Sequence, residues 1–176
     1  MSAPSADELT PDEIARIRRD INHVIETQGW ITLSAYPSET LPAFTCTAGL
    51  GRKALPELLV FGLFPEEARA TIKRFARLML SGPCPALGER LSGLLDGADA
   101  MLVEVPHDIA APYMEVALEF SPKGFRVLQL LWAKPLEPFP GEAGYSGEPG
   151  SSQPLITLAV RPSRYRALAL CRDPPA

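Results

Sequence analysis

Histidine and asparagine are almost missing from this chain, with only His23, His107 and a single Asn22. No His-x-x-x-His, His-Glu-x-x-His or Cys-x-x-Cys spacing occurs, so the usual zinc ligand sets are absent and no metal is expected. Cysteine is scarce as well. Cys46, Cys84 and Cys171 lie far apart and are odd in number, which suits a reducing cytoplasm better than a disulfide framework. No apolar run approaches the ~20 residues that cross a bilayer, so no membrane partner is expected. Residues 1–9 carry neither a basic start nor an apolar core, so no secretory signal is expected either. Positive charge is in deficit: the net charge of −4 argues against nucleic acid as the main partner. The Walker pattern is also missing, and no other fingerprint calls for a cofactor.

Proline, by contrast, is abundant. Nineteen prolines in 176 residues is roughly twice the usual ~5%. Each removes a backbone donor and fixes φ, so the chain should consist of short elements cut by turns. Hydrophobic residues at 46% and charged ones at 22% are otherwise ordinary for a globular chain of one domain. Arginine outnumbers lysine, which fits a bacterium with a GC-rich genome.

Residues 1–9 read as a flexible terminus, followed by a single domain over residues 10–172. Thr10, Pro11 and Glu13 form a capping-box start, Ile14, Ile17, Ile21, Val24 and Ile25 recur at helical spacing, and Gly29 stops the helix. Residues 30–36, 43–50 and 57–63 read as strands joined by short proline-containing loops, an antiparallel meander whose last strand is buried on both faces. Pro65-Glu66-Glu67 opens a second helix ended by Gly82-Pro83. Residues 87–95 read as a short helix and 100–105 as a strand. Asp108 reads as the cap of a third helix reaching about Phe120, and 125–132 and 155–160 as further strands. Between those last two lies a Pro/Gly-rich loop over 133–154, long enough to be functional or disordered. The fold class is α+β: an antiparallel sheet of about five or six strands with helices packed on it.

Chemistry-bearing residues are few. His107-Asp108 sits between a strand and a helix, and a cysteine could meet it in space, Cys84 being the more exposed candidate and Cys46 facing inward. Gly49-Leu50-Gly51-Arg52-Lys53 could hold an anion on bare amides, or be a hairpin with a solvated basic tip. Arg161, Arg164, Tyr165, Arg166 and Arg172 could grip a nucleic-acid backbone, although a solvated tail is the commoner use of such a run.

Four segments, taken in order, carry a resemblance: Phe44-Thr-Cys-Thr-Ala-Gly-Leu50, Pro56-Glu-Leu-Leu-Val-Phe-Gly-Leu63, Val127-Leu-Gln-Leu-Leu-Trp132 and Gln153-Pro-Leu155. Together they resemble a bacterial domain-of-unknown-function family, the one numbered four-two-six-two, over about residues 22–156. The resemblance implies a small cytosolic domain with no established activity. It marks Thr47, Gly49, Leu50, Pro56, Glu57, Gly62, Gln129, Trp132 and Gln153 as counterparts of the family's recurrent residues. Cys46 stands where the family has an aromatic, Ala133-Lys134 where it has Pro-Asp, and Gly141 where a tryptophan is usual.

Glu57 opens an apolar strand and Gln129 interrupts another, so both are polar groups that must find partners if buried. They could satisfy each other, a backbone amide or Arg52. Alternatively they line a pocket with Trp132 and Tyr145, roofed by the long loop and reached by Gln153. The expectation is a non-catalytic module binding a small ligand or a protein, with Arg52, Glu57, Gln129, Trp132, Tyr145 and Gln153 as its candidate residues. The rival is an enzyme of unrecognised type using Arg52, Glu57, His107 and Gln129.

Overall fold

The computed structural model describes residues 10–37, 42–146 and 153–156. The expected flexible terminus, the arginine-rich segment 161–172 and Cys171 lie outside them. So do residues 157–160 of the expected last strand.

The first helix, α1 (Pro11–Gln28), starts and stops where its caps dictate. The Thr10 hydroxyl accepts from the Glu13 amide, the Glu13 carboxylate accepts from the Thr10 amide, and Gly29 closes the helix at φ 90°. The Thr10 backbone amide, with its hydroxyl, holds the Glu13 carboxyl below the usual carboxylate range. The meander follows as β1 (Ile31–Ala35), β2 (Phe44–Ala48) and β3 (Glu57–Phe61), all antiparallel neighbours. Every residue of β3 is buried. Helix α2 (Pro65–Ser81) begins with Glu66 and Glu67, placing negative charge at its positive dipole end.

Beyond α2, several expectations are corrected. Residues 87–95 do not form a helix: β4 (Leu91–Leu95) pairs with β5 (Ala98–Val105) across Asp96-Gly97. Asp-Gly between apolar residues is a strong two-residue hairpin signal, and Gly97 takes the positive φ of 71° such a turn needs. The expected third helix is broken into α3 (His107–Ala110), a 3-10 turn over Ala111–Tyr113, and α4 (Glu115–Phe120). Pro112 lies in that turn, and α3 has no side-chain cap, so Asp108 does not act as one. The last strand, β6 (Val127–Ala133), inserts between β3 and β5, giving the order β1-β2-β3-β6-β5-β4. Among the described residues the sheet has six strands and is antiparallel except for the β3–β6 pair. Leu155 and Ile156 are not in a strand.

Alternation along the strands sorts the core into layers. Leu58, Val60, Ala100, Leu102, Leu128 and Leu130 face α2, meeting Ile72, Phe75 and Met79. Leu33, Phe44, Cys46, Leu59, Phe61 and Val127 face the other way, toward Ile21 and Ile25 of α1, Tyr113, and Ala117 of α4. On that second face the described parts of the long loop, residues 134–146 and 153–156, lie down as a strap: Phe139 is fully buried against Leu131 and Ala133, with Leu155 beside it.

The register also sets the two ends of the sheet. Ala35 pairs with Phe44 and Phe44 with Phe61, while β3 and β6 run parallel. The C-terminal ends of β1, β3 and β6 therefore share one end, called here the rim. The opposite end, the base, holds Glu57, the turn after β2, and the junction from β5 to α3.

Candidate functional site

At the base, Glu57 is completely buried and its carboxylate gathers four donors. One oxygen accepts from the Gly49 and Gly51 amides at 2.9 Å each and from the Ser121 hydroxyl at 2.6 Å. The other accepts from the Thr47 hydroxyl at 2.5 Å, while that hydroxyl accepts from the Leu58 amide at 2.8 Å. The glycine turn is thus an anion nest, and its anion is the chain's own carboxylate. Gly49 is required here. Its φ is 106°, and a Cβ would come within 2.9 Å of the Gly29 carbonyl oxygen. Arg52, at the exposed end of the same turn, donates from Nε to the Phe120 carbonyl at 2.7 Å, capping α4. Arg52 and Glu57 therefore hold adjacent residues, Phe120 and Ser121, from one segment.

Mid-sheet, Gln129 is fully buried on β6 and makes a two-sided amide clasp. Its Nε2 donates to the Pro154 carbonyl at 2.6 Å, and its Oε1 accepts from the Ile156 amide at 3.2 Å. Gln153 makes the converse clasp. Its Oε1 accepts from the Trp132 amide at 2.6 Å, and its Nε2 donates to the Trp132 carbonyl at 2.8 Å. β3 has no residue in the ladder opposite Trp132, so the Gln153 carboxamide supplies a rung the strand lacks. The Trp132 indole donates to the Phe61 carbonyl at 2.9 Å. Arg90 clamps the strap from the far side, donating to the Glu137 carbonyl at 2.7 Å and stacking over Phe139 at 4.3 Å. It also pairs with Asp99, whose carboxyl the Ser92 hydroxyl and Arg90 hold below its usual range.

The six sequence candidates therefore fall into two groups. Trp132, Gln153 and Tyr145 belong to the strap and the rim, Tyr145 being half-buried in a turn closed on Glu142. Arg52 and Glu57 belong to the base, with Gln129 between. His107 is exposed at the base, edge-on to Phe125 with ring centroids 5.0 Å apart. It lies in a cleft of about 380 Å³ beside Glu104 and Arg126.

Two features gave no sequence signal. Phe64, preceding α2, is 83% exposed, and Leu136 is 98% exposed with a positive φ of 68°. Leu136 follows Pro135 in a turn closed by the Glu137 amide on the Lys134 carbonyl, at a position that favours glycine or asparagine. A bulky residue there costs about 1–2 kcal/mol. Both project from the rim, as does Tyr36, which is 57% exposed.

The two described thiols differ sharply. Cys46 is buried, and desolvation with the nearby Glu57 charge pushes it up to about 12, whereas Cys84 is exposed. On iodoacetamide treatment at neutral pH, peptide mapping should find Cys84 alkylated and Cys46 untouched until denaturant is added. Equal native labelling of the two would contradict the buried placement. Among the described residues no group of three potential metal ligands converges, and no helix is long and apolar enough to cross a membrane.

Among known proteins, a family model described as a domain of unknown function (DUF4262) matches residues 24–146. The match takes in the glycine turn, Glu57, Gln129 and Trp132 but stops short of Gln153, narrower than the span the four segments suggested. No curated protein and no solved structure matches.

Proposed function

We propose that this chain, which belongs to the DUF4262 family, is a non-catalytic protein-binding module that docks its partner on the rim. The observation that carries this reading is the exposure of Phe64 and Leu136 at one end of the sheet. Leu136 is held in a backbone conformation that its side chain disfavours and is used in no packing. Glu66 and Glu67 follow Phe64 after Pro65, and Glu137 follows Leu136, against the single cation Lys134 before it. The complementary partner is a segment of apolar side chains flanked by lysine or arginine.

In this reading Trp132, Gln153 and Tyr145 support the docking end, and Arg52, Glu57 and Gln129 are the frame behind it. The rival enzyme draws less support: Glu57 spends its carboxylate on four internal donors, and Gln129 both ends of its amide on the strap. Cytoplasmic placement is in keeping with two described cysteines that are both free thiols.

Fluorescence anisotropy with a synthetic peptide of alternating leucine and arginine, and its leucine–glutamate counterpart, tests the reading. The basic peptide should bind, with affinity falling as salt rises, and a Phe64→Ser/Leu136→Asn double variant should weaken it at least about 10-fold. Equal binding of the two peptides, or no change in the double variant, overturns the proposal.

A further inference from the structure

The base of the sheet carries a second surface that neither the rim nor the frame uses. The end of β5 and the start of β6 form a cleft of about 380 Å³, lined by Glu104, Val105, Pro106, His107, Phe125 and Arg126 among others. That volume lies in the range of about 300–1,000 Å³ common for small-molecule sites. Arg126 donates from Nε to one oxygen of Glu104 at 2.8 Å, and the two side chains remain 56% and 48% exposed. An ion pair this exposed adds little stability.

The geometry of the pair leaves its better binding edges unspent. The contact uses Arg126 Nε alone, so the two terminal guanidinium nitrogens make no second hydrogen bond among the described residues. That terminal edge is suited to a bidentate grip on a carboxylate. The second oxygen of Glu104 is likewise without a donor among the described residues. The cleft thus offers a cationic fork and an anionic acceptor side by side. Next to them are the exposed ring of Pro106, narrow edges of Val105 and Phe125 (2% and 8% exposed), and the imidazole of His107, whose ring nitrogens have no hydrogen-bond partner among the described residues.

A head group that matches both charges must itself carry both. Glu104 close to Arg126 nearly cancels the local charge, so a dianion such as inorganic phosphate gains little there, and a simple amine faces the guanidinium. A zwitterion satisfies the two groups together while its side chain covers Pro106 and the face of His107. We propose that this cleft binds a free α-amino acid with an apolar side chain, its carboxylate on the Arg126 terminal nitrogens and its ammonium group on Glu104. The site is separate from the rim and stands or falls without it.

Calorimetric titration of the full chain at low salt tests this, using L-phenylalanine with 3-phenylpropionate, 2-phenylethylamine and inorganic phosphate as comparison probes. L-Phenylalanine should bind in the millimolar range or tighter, and removing either charge from it should weaken binding at least about 10-fold. Arg126→Gln and Glu104→Gln should each cause a loss of similar size; both replace exposed side chains, and unchanged circular dichroism verifies the fold. Phosphate should give no heat of binding, and the Phe64→Ser/Leu136→Asn variant should bind L-phenylalanine as the parent does. No binding of L-phenylalanine at millimolar concentration overturns the proposal. So does equal binding of 3-phenylpropionate, or an Arg126→Gln variant that binds unchanged.

Discussion

Replacing Glu57 with alanine should lower the unfolding free energy by about 3–5 kcal/mol, the largest loss expected from any single side chain in the base. The substitution deletes one carboxylate and strands four donors at once: the Gly49 and Gly51 amides and the Thr47 and Ser121 hydroxyls. Some relief is built in, because the Gly49 amide also reaches the Ser121 hydroxyl at 3.1 Å. The Gly51 amide has no such second acceptor among the described residues. Glu57→Gln should cost less, about 1–2 kcal/mol: one carboxamide oxygen can still face the two amides, but the new NH2 meets a Thr47 hydroxyl that was donating. Urea unfolding of the two variants beside Thr47→Val and Ser121→Ala checks the ordering. If Glu57→Ala unfolds at nearly the same urea concentration as the parent, the carboxylate is not what holds the turn to α4.

The second large effect belongs to the strap. Gln129→Ala removes a fully buried side chain, leaves the Pro154 carbonyl and Ile156 amide without their partner, and opens a void in the sheet face. A loss of about 2–4 kcal/mol is expected from the unsatisfied groups and the cavity together. Part of it should appear as local opening, because residues 153–156 are held by side-chain amides while Arg90 separately grips Glu137. Limited proteolysis should therefore cut the Gln129→Ala protein within 134–156 faster than the parent, under conditions where α1 and α2 stay protected. Gln153→Ala should show the same cleavage with a smaller loss of global stability. Unchanged proteolysis in both variants would mean that Phe139 and Arg90 hold the strap without the glutamines.

Glu57 and Gln129 were visible in the sequence as polar interruptions of apolar strands, and the need for partners followed from burial alone. Of the partners the sequence allowed, a backbone amide is the one the structure supplies, from Gly49 and Gly51 to Glu57 and from Ile156 to Gln129, while Ser121 and Pro154 carry no local signal. Glu57 bonds Ser121 across 64 residues, and Gln129 bonds Ile156 across 27, intervals no periodicity marks. The anion-holding character of Gly49 and Gly51 could be read from the glycines. That the anion is Glu57 could not, because it depends on where β3 returns beside the turn. The Asp96-Gly97 hairpin, by contrast, carries a plain local signal, an Asp-Gly pair between apolar residues.

Local causes suffice for the capped helix α1, the three strands of the meander and the acid-started helix α2. Those follow from capping, alternation and proline geometry within a few residues of each other. The placing of β6 between β3 and β5 has no such local cause, since strand order depends on contacts between distant segments. With that insertion residues 134–146 and 153–156 pack against the sheet as a strap, Phe64 and Leu136 are both left at its rim, and Glu104 and Arg126 meet at the base. Proline scarcity in the helices and proline abundance in the loop told where the chain turns. What the turns bring together is set by the free energy of burying both faces of one sheet, a quantity that belongs to the whole fold.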